Sequence, residues 1–211
     1  MKIAVTRPAG LDAGLAAALG EQGHEVVSCP LIALEPLGDG PIDASGYDWL
    51  VVTSRTGADE VARRLTGRPA RIAAVGPATA DALRAHGLAA DLVPAEASQD
   101  GLLAELPRPA GRVLLAAAEG ARLLLVDELG ADFVPLYRTR ELRPSAFPDA
   151  DLVVLASPSA ARAYAALGVA RVVTIGPQTT RAARAAGLTV AAEAERPDVD
   201  ALTAAVASAA R

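Results

Sequence analysis

The chain repeats itself. Residues 71–88 read RIAAVGPATADALRAHGL and residues 171–188 read RVVTIGPQTTRAARAAGL, so Arg71 answers to Arg171 and Leu88 to Leu188 at a constant offset of 100 residues. Asp100 and Leu102 find Asp200 and Leu202 at the same offset. Upstream of each copy, DWLVVTS at 48–54 is answered by DLVVLAS at 151–157. A period this long in a chain of 211 residues implies two copies of one domain, not a solenoid of small units.

Each copy alternates short apolar runs with helical spacing, the pattern of a parallel sheet covered by helices. A strand at 2–6, a helix at 11–22 and a strand at 25–28 open the chain as a β–α–β unit. Residues 30–37 and the turn-rich 38–46 lead to strands at 47–53, 71–75, 91–93, 112–117 and 132–135, with helices at 55–65, 77–86, 99–106 and 120–129. After a connecting stretch at 136–142 and the two prolines of 143–149 come strands at 151–156, 171–175 and 189–191, with helices at 158–167, 177–186 and 198–208. The copy at 47–106 is followed by a β–α–β unit (112–135) that the copy at 151–208 lacks; the matching unit stands at the chain's start. The predicted fold class is therefore α/β, with two similar doubly wound parallel-sheet domains. One domain is discontinuous (1–33 plus 141–211), the second (38–136) is inserted into it, and 34–37 and 137–140 form two linker strands, a hinge.

Composition narrows the function. Net charge is −5, no Lys/Arg run occurs, and every basic residue except Lys2 is arginine, so no nucleic-acid partner is expected. Arginine grips carboxylates with a planar fork. Cys29 is alone, which rules out a disulfide framework, and one cysteine with His24 and His86 makes no plausible metal site. No apolar run approaches the ~20 residues of a membrane span, and the start reads as a strand and not as a signal peptide. A cytoplasmic protein is expected, and nothing demands more than a monomer.

Ligands of open parallel sheets gather beyond the carboxyl ends of the strands. Thr6, Arg7, Thr53, Ser54, Arg55, Gly76, Thr79, Ser157, Ser159, Gly176 and Thr179 fall there, where strands run into helices whose free N–H groups attract anions. Ser54, Ser98 and Ser157 also stand at helix N-cap positions, a purely structural use compatible with binding. No G-x-G-x-x-G loop follows a strand, which argues against a nucleotide-sugar transferase.

In their order, spacing and double occurrence, VTRP (5–8), VVTSRTGAD (51–59), VGPATA (75–80), ASQDGL (97–102), VPLYRT (134–139), ASPSA (156–160) and IGPQT (175–179) resemble the uroporphyrinogen-III synthase family over nearly the whole chain. The resemblance implies two flavodoxin-like domains joined by a two-stranded linker, with an active site in the cleft between them. It implies hydroxymethylbilane as substrate, no cofactor and no metal, and a lyase that loses water and closes the ring with ring D inverted, in haem biosynthesis. Tyr137 matches the family's tyrosine; a phenol keeps its proton at neutral pH and suits a donor to departing hydroxide. Ser98 falls in one shared motif, and Arg122 remains in a stretch, AAAEGARLLL (116–125), where the family often carries an arginine just before Glu-Gly. Ala117 and Ala118 stand there instead, which leaves a non-catalytic ligand-sensing module on the same fold as the alternative.

Overall fold

The computed structural model describes residues 1–168 and 170–211. In chain order it runs β1 (Lys2–Val5), α1 (Ala13–Glu21), β2 (Glu25–Ser28), β3 (Ile32–Pro36), β4 (Ile42–Asp43), β5 (Trp49–Val52), α2 (Arg55–Arg64), β6 (Leu65–Thr66), β7 (Arg71–Ala74), α3 (Pro77–Ala85) and α4 (Gln99–Glu105). It continues with β8 (Val113–Ala118), α5 (Leu124–Leu129), β9 (Asp132–Glu141), β10 (Leu152–Leu155), α6 (Pro158–Tyr164), β11 (Arg171–Thr174), α7 (Pro177–Ala185), β12 (Val190–Glu193) and α8 (Val199–Ala209). These elements form two compact units: unit 1 is Met1–Leu34 with Thr139–Arg211, and unit 2 is Glu35–Arg138.

The sheet of unit 1 has the order β2-β1-β10-β11-β12, every neighbouring pair parallel. Counted along the unit's own chain this is 2-1-3-4-5, the flavodoxin-like winding. Its central strands read as unbroken apolar runs because both faces are covered. Side chains alternate between the faces. Ile3, Val5, Leu152, Val154 and Val173 pack with Leu15 and Leu19 of α1 and Leu202 and Val206 of α8. Ala4, Val153, Leu155 and Val172 pack on the opposite side with Ala160 and Tyr164 of α6 and Ala183 of α7. Each fully buried Leu or Val side chain contributes about 1.5–3 kcal/mol.

In unit 2 the order is β7-β5-β8-β9, with β3 beyond β9 and a single bridge from Leu92 to Ala73 on the far side of β7. Trp49, Val51, Ala73, Val113, Leu115 and Ala117 pack with Leu102 and Leu106 of the α4 segment and Leu125 of α5. Helices α2 and α3 pack together. Leu92, β7, β5, β8 and β9 thus occupy the places that β12, β11, β10, β1 and β2 occupy in unit 1. The repeated aspartate has one job in both copies. Asp48, before β5, accepts the Arg112 N–H at 2.7 Å; Asp151, before β10, accepts the Lys2 N–H at 2.8 Å. Each ties its strand to the start of the neighbouring one.

The structure departs from the sequence reading in four places. Residues 91–93 form no strand, only the Leu92 bridge. The helix expected at 120–129 begins at Leu124, because the Glu119 N–H donates to the Tyr137 carbonyl at 2.8 Å and the chain turns before it can coil. The strand expected at 132–135 continues to Glu141 through Pro135, which lacks an N–H; the ladder is irregular there, where a proline is tolerated. The two-residue strand β4, in the stretch read as turns, pairs in parallel with β6, whose Leu65 is the last residue of the helix expected at 55–65; two residues carry no visible periodicity.

Candidate active site

β5 delivers the chain to the carboxyl edge of its sheet at Val52, and α2 starts three residues later. Ser54 sits at the N-cap in extended conformation (φ −162°, ψ 159°), and its Oγ accepts the Gly57 N–H at 2.9 Å. This satisfies one of the four N–H groups that a helix start leaves without a partner.

A second strand brings Tyr137 to the same hydroxyl. β9 runs beside β8 in regular register until Ala117 faces Pro135; Ala118 then faces Tyr137, so that Leu136 is the extra residue of a bulge. Consecutive strand residues normally face opposite sides. Here Leu136 and Tyr137 are both buried, at 0% and 8% exposure. The Tyr137 hydroxyl lies 2.9 Å from Ser54 Oγ. Leu136 Cδ1 comes within 3.4 Å of where a Cβ on Gly57 would stand, and Ser54 Oγ within 2.9 Å of it. A glycine in the first turn of α2 gives both side chains this room. Glycine in a helix interior costs about 1 kcal/mol relative to alanine, so its presence here follows from packing.

A clamp holds this arrangement from the other end of α2. The largely buried Arg64 donates through Nε to the Gly40 carbonyl at 2.8 Å and through Nη1 to the Leu37 carbonyl at 3.3 Å. The Leu37 N–H in turn donates to the Leu136 carbonyl at 2.8 Å, next to Tyr137. Gly57, Leu136 and Arg64 escape the sequence reading; the one local signal is a glycine three residues after a capping serine.

The other candidates in unit 2 divide by what their groups already do. Thr53 is half-buried at the end of β5, and Arg55 is exposed in the first turn of α2. Gly76 joins β7 to α3 in extended conformation, with Ala97 so close that a Cβ there would stand 2.9 Å from the Ala97 Cβ. Thr79 is buried. Ser98 is occupied twice over, accepting the Gly101 N–H at 2.9 Å and donating to Glu96 Oε1 at 2.9 Å. Arg122 pairs with Asp100 at 2.5 Å, and its carbonyl takes the Gln99 amide at 2.6 Å, which fastens it to the start of α4.

In unit 1, Thr6 is fully buried and donates to the Val154 carbonyl at 2.8 Å. Arg7 is half-buried. The Ser28 hydroxyl, donating to Asp12, holds that carboxyl below the ordinary range, and the Arg7 charge adds to the effect. Ser157 Oγ accepts the Ala160 N–H at 3.1 Å, and Ser159 Oγ accepts from Arg162 at 3.2 Å. Gly176 joins β11 to α7 in extended conformation, and Thr179 is buried. Among the described residues no group of three or more His, Cys, Asp or Glu is placed to hold a metal ion, and no helix is long and apolar enough to cross a membrane.

The family model described as uroporphyrinogen-III synthase HemD matches residues 13–204. A uroporphyrinogen-III synthase of Synechococcus elongatus is 31% identical over 174 residues, which cover 72% of this chain and 65% of that protein. A putative uroporphyrinogen-III synthase of Methanocaldococcus jannaschii is 26% identical over 151 residues, 67% of this chain and 63% of that one. The chain thus spans a little under two thirds of the length of these curated relatives. The crystal structure of a mutant uroporphyrinogen III synthase from Thermus thermophilus aligns with a TM-score of 0.59 at 18% identity, covering 100% of this chain and 98% of that one, a likeness of fold.

Proposed function

Because this chain belongs to the uroporphyrinogen-III synthase family, we propose that it cyclises hydroxymethylbilane to uroporphyrinogen III, with loss of water and inversion of ring D. The observation that carries the reading is the Tyr137 hydroxyl, held 2.9 Å from Ser54 Oγ at the carboxyl edge of the unit 2 sheet. That is the edge at which parallel sheets bind ligands.

The reaction starts at the hydroxymethyl group on ring A. Its C–O bond breaks, the pyrrole nitrogen's electron pair moves in behind it, and the Tyr137 proton joins the departing hydroxide to make water. The resulting methylene is electrophilic. Ring D attacks it through its substituted carbon, a spiro intermediate forms, and rearrangement closes the ring with D inverted. The proton released on closure returns to the phenolate. Free in solution, the chain closes without inversion, so the enzyme's main contribution is to hold one carbon near the electrophile and keep the other away. Thr53 and Arg55, flanking Ser54, are assigned to the substrate's carboxylates, where the start of α2 adds partial positive charge. The same reading makes the protein a cytoplasmic monomer that needs no cofactor, metal or nucleic acid.

The test is incubation with freshly made hydroxymethylbilane, oxidation, and separation of the uroporphyrin isomers. Isomer III formed faster than spontaneous closure supports the proposal; isomer I alone at the spontaneous rate rejects it. The short Ala118 side chain opposite Tyr137 favours a second reading, a ligand-sensing module without chemistry. Bound tetrapyrrole with no gain in isomer III would select it. Tyr137→Phe is expected to lower kcat by about 10²-fold or more, the usual worth of a positioned proton donor, with isomer III still the enzymatic product.

A further inference from the structure

The Ser54 hydroxyl has three hydrogen-bonding valences, two acceptor and one donor. One acceptor valence is filled by the Gly57 N–H. Of the remaining valences, one meets the phenol of Tyr137 at 2.9 Å. The N–H of Gly57 polarises the serine O–H and makes it a better donor, and hydrogen bonds in series strengthen one another. With Ser54 donating to the phenol oxygen, the phenol's own proton is left free for another acceptor. As that proton leaves, the negative charge growing on the phenol oxygen meets the serine O–H and, behind it, the start of a ten-residue helix.

The repeat contains its own control. Ser157 stands where Ser54 stands, and it caps α6 through the Ala160 N–H at 3.1 Å. Among the described residues no second side chain bonds the Ser157 hydroxyl, and the position that is Gly57 in unit 2 carries a methyl group there. A plain N-cap therefore needs neither the glycine nor the phenol. In unit 2 the glycine and the β9 bulge bring together two hydroxyls that ordinary capping would leave apart.

Resting on the function proposed above, we infer that Ser54 is a positioning residue for Tyr137 and not a substrate ligand. It sets the direction of the phenol's proton and relays the helix's partial charge to the phenol oxygen as the proton departs.

The experiment is a double-mutant cycle read as separate kcat and KM values for isomer III. Ser54→Ala removes the hydroxyl; Ser54→Gly removes it with an N-cap residue that helices accept nearly as well as serine, which covers the case of an unstable alanine variant. Both are expected to lower kcat about tenfold while KM stays within about twofold. Ser54→Thr keeps the hydroxyl and is expected to restore most of the lost kcat. In a Tyr137→Phe background, removing the Ser54 hydroxyl is expected to change kcat no further. A raised KM with unchanged kcat would make Ser54 a substrate contact and overturn the inference, as would an equal fall in kcat with Phe at 137. Full kcat in the Ser54 variants of an active enzyme sinks the inference alone; a wild-type protein that yields only isomer I sinks the function and the inference together.

Discussion

Tyr164 is 1% exposed and lies against Phe147 with ring centroids 4.9 Å apart. Burial pushes its phenol above the ordinary value of 10.0, only partly offset by the Ala170 N–H that its oxygen accepts at 3.1 Å. The unfolded chain therefore releases this proton first. The stability tied to the neutral phenol is complete below pH 10 and falls as pH rises through the raised folded value. Tyr164→Phe is expected to lose about 1 kcal/mol at neutral pH with the Ala170 bond, and to show a flatter loss of stability above pH 10 in chemical denaturation. Tyr137 is a different kind of residue, and the difference is only half legible in the sequence. Family likeness singles it out among three tyrosines, and Ser54 reads as a cap from its place before a helix. Nothing local joins them. Their contact depends on a register slip between Ala117 and Ala118, and strand register is a property of two distant segments.

Helices and buried strands are largely legible because each has a length and a period of its own. The expected strand at 25–28 is β2, and the helix expected at 55–65 ends one residue earlier, at Arg64. What escapes depends on pairing. The ten-residue β9 looks short because Pro135 interrupts its pattern, and β4 and β6 are visible only as partners. The repeated aspartates before β5 and β10 stand out as part of the repeat, but their task needs the neighbouring strand to be known. Asp151→Ala removes the acceptor of the Lys2 N–H and is expected to loosen β1 along its pairing with β10. Hydrogen exchange at Ile3, Ala4 and Val5 should quicken by up to about tenfold, with β5 and β8 unchanged.

At the scale of the molecule, the same strand order is built in two ways. Unit 2 closes its Asp48–Arg112 tie over 64 residues of chain; unit 1 closes the matching Asp151–Lys2 tie over 149. Loop-closure entropy alone makes the longer closure dearer by about 0.7 kcal/mol, roughly threefold in rate. In refolding followed by pulsed hydrogen exchange, the amides of β5 and β8 are expected to gain protection before those of β1 and β10; simultaneous protection would show that one nucleus serves both units. The same permutation bears on the growing chain. β1 has β2 on one side and β10 on the other, yet a ribosome adding about 5–20 residues per second reaches β10 only roughly 8–30 s after β1. Throughout that interval the nascent chain carries an apolar strand with one flank open, and what must be kept from it is the same strand on the next chain of the polysome.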